Sequence, residues 1–138
     1  MLNWTHVTIT TNQQATDMVH TFKETVPEIG AMDTETIGLH IKCDKPFLYQ
    51  FGWFNESMKQ GWTYVVDLER QPVLAHQVIR RWHELAKRLK KFLGHNIKYD
   101  MHMCRNAGIE YQWDNISDTM LYIRLAHDAI PKRAAGVS

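Results

Sequence analysis

The sequence lacks the features that mark several special classes of protein. Its 138 residues include only two cysteines, Cys43 and Cys104, too few for a disulfide scaffold, so we expect both thiols to be reduced. It has no apolar run of about 18 residues, which argues against a membrane-spanning helix. The N-terminal residues have neither the basic nor the apolar region of a secretion signal. These absences predict a cytoplasmic protein.

The sequence also has no strong charge of one sign. It contains 16 Lys and Arg against 15 Asp and Glu, for a net charge of +1 at pH 7. Overall charge therefore does not indicate a nucleic-acid-binding protein, and any such binding must depend on local arrangement. Neither a glycine-rich phosphate loop nor a Gly-x-Ser-x-Gly nucleophile motif is present. With 44% hydrophobic residues, the composition predicts one globular domain spanning residues 1–138.

Hydrophobic patterning predicts strands alternating with helices. Strands are expected at residues 6–10, 28–36, 46–54, 62–68, 92–94 and 111–117. The nearly continuous apolar run at 46–54 is typical of a central strand covered on both faces. The order of elements predicts an α/β fold with a mixed sheet. Three strands form an antiparallel meander, further strands are parallel, and helices flank the sheet. The ribonuclease H-like fold has this order.

Four helices are predicted from their boundary residues. Thr11 and Gln14 form a capping box, and the helix that follows has apolar residues at helical spacing, namely Ala15, Met18, Val19, Phe22 and Val26. Pro72 suits the first position of a second helix. Its apolar stripe comprises Ala75, Val78, Ile79, Trp82, Leu85, Ala86, Leu89 and Leu93. Asn96 and Asp118 are expected to cap two later helices.

A run of basic residues lies off the apolar stripe of the second helix. A solvated helix face is the favoured interpretation of such a run, and contact with nucleic acid is the alternative. The run consists of Arg80, Arg81, Lys87, Arg88, Lys90 and Lys91.

Two acidic residues end an apolar strand. Asp33 and Glu35 are two positions apart, so both side chains are expected on the same face of the strand. Carboxylates held side by side repel each other unless a cation compensates, and oxygen ligands suit Mg²⁺ or Mn²⁺. Taken alone, the pair fits an exposed turn carrying solvated charges better than a metal site, and the metal site gains weight only with the segment that follows.

A third acidic residue follows another short strand. Asp100 lies in the first turn of a predicted helix, after a strand expected beside the one that holds Asp33. We therefore expect Asp100 to face Asp33 and Glu35 across a cleft. For Asp100 taken by itself, the favoured interpretation is that it interacts only with the helix dipole.

Taken together, these segments resemble a known family. Residues 33–36, Asp-Thr-Glu-Thr, are similar to the first motif of DnaQ-like 3′–5′ exonucleases, the DEDD superfamily. Residues 96–100, Asn-Ile-Lys-Tyr-Asp, resemble the second motif as it occurs in the proofreading domains of family A DNA polymerases. Residues 117–121, Ser-Asp-Thr-Met-Leu, also resemble that group, and the resemblance extends from about residue 29 onward.

The resemblance implies a function and a site. Asp33, Glu35 and Asp100 would be three of four metal-binding carboxylates for two divalent ions, Mg²⁺ or Mn²⁺. One ion would activate the attacking water, and the other would stabilise the leaving 3′ oxygen. Thr36 and Leu39 would lie near the terminal nucleotide, with Asn96 beside the strand. The implied substrate is a single-stranded DNA 3′ end, and the implied partner is the rest of a polymerase in a bacterial or phage-infected cell.

The sequence departs from the family after Asp118. The fourth carboxylate belongs to a Tyr-x-x-x-Asp or His-x-x-x-x-Asp motif, and residues 119–138 contain neither spacing. We therefore expect a domain without its last helices, with a poorly held second metal and weak or no activity alone. Two alternatives remain: a ribonuclease D-like exonuclease acting on RNA, and a catalytically silent chain that binds nucleic acid or docks on a polymerase.

Overall fold

The computed structural model describes residues 3–36, 46–94, 101, 104–106, 108 and 116–118. Within them lie six strands, two helices whose bounds are fully described, and further helical residues at 101 and 104–106. The strands are β1 (Asn3–Thr8), β2 (Ile29–Thr36), β3 (Pro46–Asn55), β4 (Gln60–Asp67), β5 (Lys91–Gly94) and β6 (Ile116–Asp118). The helices are α1 (Asn12–Thr25) and α2 (Pro72–Ala86). Among these elements, no helix is long and apolar enough to cross a membrane.

The six strands form one mixed sheet in the order β1-β4-β3-β2-β5-β6. The central strands β2, β3 and β4 pair antiparallel, as an antiparallel meander requires. Strand β1 pairs parallel with β4, while β5 and β6 continue the sheet in parallel beyond β2. The predicted α/β class and mixed sheet are therefore confirmed.

The hydrophobic core lies on one face of this sheet, called the inner face here. Trp82 of α2 is fully buried at its centre. Its indole stacks on Phe51 with ring centroids 4.6 Å apart, and on Trp53 at 5.9 Å. Phe92 of β5 and Phe22 of α1 complete the ring contacts at 5.7 and 6.1 Å. Aromatic contacts of this kind add to the hydrophobic stabilisation and fix how both helices pack on the sheet.

Helix α1 begins as predicted but ends one residue early. The Thr11 hydroxyl accepts a hydrogen bond from the Gln14 backbone N–H at 3.2 Å, and the Gln14 side chain accepts one from the Thr11 N–H. The prediction that Val26 lies on the apolar face is wrong. Val26 is the C-cap, in the left-handed region with φ 42°, and 74% of its surface is exposed.

Helix α2 starts at Pro72 as predicted and ends at Ala86. Two members of its predicted stripe are not helical. Leu89 is buried in the connection that follows, and Leu93 lies in β5. The helical layer closely approaches β2 at Gly30, where an added Cβ would lie 3.2 Å from the Trp82 ring.

The strand boundaries differ from prediction mainly in two strands. Strand β1 covers Asn3–Thr8 rather than residues 6–10, and β6 covers Ile116–Asp118, whereas residues 111–115 of the predicted 111–117 strand lie outside the described residues. The C-terminal end of β1 follows from capping: the Ile9 N–H still donates to Val65 of β4, but the Thr10 N–H donates to the Gln14 carboxamide at 2.7 Å. Strand β3 is buried on its inner face, whereas outward-facing Leu48, Gln50 and Phe54 are only half-buried. The helix predicted after Asp118 lies outside the described residues.

Candidate nuclease site

Asp33 and Glu35 lie side by side on the outer face of the sheet. Both residues are exposed, whereas Met32 and Thr34, which alternate with them on β2, are 4% and 9% exposed. This alternation places the two carboxylates on one face, with Cα atoms about 7 Å apart. The local sequence produces this geometry because apolar or small residues occupy the inward positions of the strand.

The regular pairing of β2 with β3 ends at these carboxylates. The register runs without interruption from Ile29 opposite Phe54 to Glu35 opposite Leu48. Thr36 then pairs with Pro46, so one additional β3 residue is inserted. A bulge of this kind bends the strand and ends regular pairing, and bulges are common beside active sites.

Gln50 is a polar neighbour that sequence reasoning missed. It lies opposite Asp33 in the register, and its amide Nε2 donates to Glu35 Oε1 at 3.4 Å. The signal was available, because Gln50 is the one residue that is neither apolar nor aromatic in the stretch at residues 46–54. Asp33 Oδ1 accepts a hydrogen bond from the Thr34 backbone N–H at 2.9 Å.

Strand β5 brings its following chain to the same end of the sheet. It runs parallel to β2, and Gly94 is the register partner of Met32. The carboxyl ends of parallel neighbours meet at one edge, so the chain leaves β5 beside Asp33. Asp100 and Asn96 follow in sequence, and both lie outside the described residues, as does Leu39. Thr36 is the last residue of β2.

An apolar groove of about 320 Å³ extends from the carboxylates along the outer face. Asp33 and Gln50 line one end, and Trp4 and Phe54 the other, with ring centroids 5.9 Å apart. Ile29, the register partner of Phe54, lies at this second end and is 40% exposed, while Trp4 is 48% exposed. The acidic pair thus borders a surface on which an unpaired base can stack.

The inner side of β2 is held by a buried polar cluster. Tyr49 lies opposite Thr34 in the register. Its hydroxyl oxygen is 3.2 Å from His83 Nε2, and the hydroxyl donates to Met32 Sδ at 3.3 Å. Burial, and to a smaller extent the nearby positive charge of Lys87, together lower the pKa of His83 to about 3. The neutral imidazole and the phenol thus lie on the inner side of β2, opposite the face that carries Asp33 and Glu35.

The donor set suits a hard divalent cation. The two carboxylates offer four oxygens, and Mg²⁺ and Mn²⁺ prefer oxygen ligands. Within the part of the chain that the structure describes, no three His, Cys, Asp or Glu side chains cluster to hold a metal. The predicted third ligand, Asp100, is outside that part, so the convergence of Asp33, Glu35 and Asp100 stays a prediction.

Comparison with known proteins identifies a family. The sequence profile of a family described as 3′–5′ exonuclease matches residues 6–127. No match was found among curated protein sequences.

Solved structures share the fold at low sequence identity. The EXO domain of Nibbler from Aedes aegypti is 15% identical, with a TM-score of 0.57, over 88% of this chain and 56% of that one. Escherichia coli RNase D, an exoribonuclease involved in structured RNA processing, is 17% identical, with a TM-score of 0.56 over 94% and 30%. Brucella melitensis NrnC with bound Mg²⁺ is 13% identical, with a TM-score of 0.53 over 95% and 56%. The chain thus spans between 30% and 56% of these proteins.

Proposed function

Because the chain belongs to the 3′–5′ exonuclease family, we propose that it forms a metal-dependent domain that hydrolyses nucleotides from single-stranded 3′ ends. The observation that carries the proposal is the pair of exposed carboxylates, Asp33 and Glu35, on one face at the carboxyl end of β2. Family membership gives this acidic pair a chemistry. Because the chain that leaves β5 beside this pair leads to Asp100, we propose Asp100 as the third carboxylate.

Asp33, Glu35 and Asp100 are the proposed metal ligands. Exonucleases of the DEDD type generally depend on divalent metals, and oxygen-rich donor sets suit Mg²⁺ or Mn²⁺. When bound, such a cation supplies electrostatic stabilisation to a phosphate undergoing hydrolysis. The Gln50 amide donates to Glu35 Oε1 at 3.4 Å and orients that carboxylate beside Asp33, and the bulge after Glu35 ends the regular strand pairing there.

The remaining proposed contacts position the terminal nucleotide. Thr36 ends β2 directly after the acidic pair, and Asn96 follows the end of β5 by two residues. Leu39 supplies an apolar surface for the last base. The apolar groove extends from Asp33 in the other direction, toward Ile29 and Trp4, and offers a further surface for unstacked bases beside the acidic pair.

DNA is the first substrate that we propose, in the context of proofreading by a family A polymerase. This choice rests on the Asn-x-Lys-Tyr-Asp form of residues 96–100. RNA is the second candidate, and the similarity in fold to Escherichia coli RNase D, an exoribonuclease, favours it. A silent nucleic-acid-binding role is the third, since residues 119–138 contain no Tyr-x-x-x-Asp spacing.

The first experiment measures metal binding through stability. Mn²⁺ is added to the chain, and the melting temperature is followed by tryptophan fluorescence. A cation that binds only the folded protein stabilises it by about 2.7 kcal/mol at a concentration one hundred times its Kd, which raises the melting temperature by several degrees. Asp33→Asn should lose this gain. Asp17→Asn, the same charge change on the exposed surface of α1, should keep it.

The second experiment separates the candidate substrates. DNA and RNA oligonucleotides of one sequence, labelled at the 5′ end, are incubated with the chain and Mn²⁺. Shortening from the 3′ end that Asp33→Asn abolishes supports the exonuclease, and the faster substrate identifies the sugar. Metal stabilisation without shortening supports the silent role. Equal melting shifts in the wild type and Asp33→Asn would refute a metal site at Asp33.

A further inference from the structure

A groove with basic walls lies in the helical layer, away from the carboxylates. It runs between α1 and the C-terminal end of α2, with a volume of about 550 Å³. Its floor is apolar, formed by Val19 and Leu85. Its four cationic side chains are all exposed: Lys23, Arg81, Lys87 and Arg88.

Positive charge is concentrated in this groove. Four cations and one carboxylate, Glu84, line it, a local charge of +3, whereas the whole chain carries +1. Lys87 pairs with Glu84 at 3.0 Å. Among the described residues, Lys23, Arg81 and Arg88 have no carboxylate within 4.0 Å. The groove therefore presents three cations that no described acidic group neutralises.

The helix dipole does not account for this arrangement. Cations near helix C-termini interact favourably with the dipole, which explains Lys23 in the last turn of α1. Arg81 lies before the last turn of α2, and Arg88 lies beyond the helix. These arginines share the groove with Lys23 because α1 and α2 pack side by side.

We propose that this groove binds the sugar–phosphate backbone of a nucleic acid strand. The proposal rests on the proposed function, because a nuclease substrate supplies the polyanion that fits three unpaired cations. Arginine suits the task through its planar donor fork, and the apolar floor accommodates the sugar edges of the strand. Helices α1 and α2 cover the inner face, while Asp33 and Glu35 lie on the outer face. The groove is therefore a second contact, separate from the 3′ end.

The test measures affinity without cleavage. A fluorescent single-stranded oligonucleotide of about 20 thymidines or uridines is titrated with the full chain in EDTA, at several salt concentrations. Each phosphate contact contributes about 0.7 to the slope of log affinity against log salt on a single strand. The double variant Arg81→Gln/Arg88→Gln should therefore lower the slope by about 1.4. With equal affinities at about 1 M salt, where the electrostatic contribution vanishes, this corresponds to about 25-fold weaker binding at 0.1 M salt.

A matched control removes the same charge elsewhere. Arg70→Gln/Arg80→Gln changes two exposed arginines outside the groove, one of them on α2. It should retain the wild-type slope. Equal losses in the two double variants would overturn the proposal, since the effect would then reflect total charge. Tighter binding of oligoglutamate than of either oligonucleotide would also overturn it, in favour of an acidic protein partner.

The experiments distinguish a failure of the groove proposal from a failure of the metal-site proposal. If Mn²⁺ stabilises the chain only when Asp33 is intact, but the arginine variants bind the oligonucleotide normally, the groove proposal is wrong and the proposed function stands. If the arginine variants lose affinity while Asp33→Asn melts like the wild type with Mn²⁺, the metal-site proposal is wrong and the groove stands.

Discussion

Protonation of His83 should make the fold sensitive to acid. The imidazole is 6% exposed, and burial, with a further contribution from Lys87, lowers its pKa to about 3. An unfolded histidine has a pKa of about 6.5. Between these values the unfolded chain binds a proton that the folded chain does not, so stability falls as pH falls. The contribution is fully present above pH 6.5 and is lost progressively toward pH 3.

The size of the effect follows from the two pKa values. Each pH unit below about 6.5 shifts the folding equilibrium by about 1.4 kcal/mol until the folded pKa is reached. Between pH 7.5 and pH 5.0 the loss attributable to His83 is therefore about 2 kcal/mol. That is a large part of the 5–15 kcal/mol typical of a folded domain.

The assay compares urea denaturation at the two pH values. Buried Trp53 and Trp82 provide the fluorescence signal, because unfolding exposes both to water. His83→Gln keeps an amide near the Tyr49 hydroxyl but cannot take up a proton. Its free energy of unfolding should fall by about 2 kcal/mol less than that of the wild type between pH 7.5 and pH 5.0.

The control is His20→Gln, which alters an exposed histidine on α1. Its loss of stability on acidification should match the wild-type loss. The reasoning fails if His83→Gln and the wild type lose the same free energy over this range. The comparison is a difference of differences, so a general loss of stability in the variant does not affect it.

Two further substitutions test the backbone. Val26→Gly should raise the free energy of unfolding by about 0.5–1 kcal/mol. The left-handed conformation strains valine by more than the entropy that glycine adds to the unfolded chain, and exposed Val26 loses little burial. A lower urea midpoint would contradict this. Gly30→Ala should lower it by about 1–3 kcal/mol, since the new Cβ would lie 2.6 Å from Leu89 Cδ1 and 3.2 Å from Trp82. An unchanged urea midpoint would contradict this prediction, because Leu89 and Trp82 would then move aside without loss of stability.

Local sequence patterns were sufficient to predict where the helices begin and which strand residues share a face. The capping box at Thr11 and the proline at residue 72 mark helix starts through chemistry within a few residues, and both starts are where these signals placed them. The alternation of β2 likewise placed Asp33 and Glu35 on one face, because strand periodicity depends only on the backbone. The family resemblance rested on such local segments too.

Endings and neighbours were harder to predict. Val26 lacks the glycine that left-handed caps usually carry, and its apolar side chain was assigned to the helix face. The signal for the helix end is Pro27, which disfavours a helical conformation at the residue before it. Leu89 and Leu93 continue the helical spacing after the helix has stopped, because a buried connection and a strand also need apolar side chains. Gln50 was missed because its role depends on pairing with another strand.

The basic groove shows why a local concentration of charge is harder to predict from sequence than a helix start or a strand face. In the sequence, Arg81 and Arg88 belong to a basic run, for which a solvated helix face is the favoured interpretation. Lys23 is distant in sequence and lies in a different helix. Only the packing of α1 beside α2 brings the three cations around one concave floor, with Glu84 already paired to Lys87. The electrostatic potential of the groove is thus a property of the tertiary fold, and a net charge of +1 conceals it.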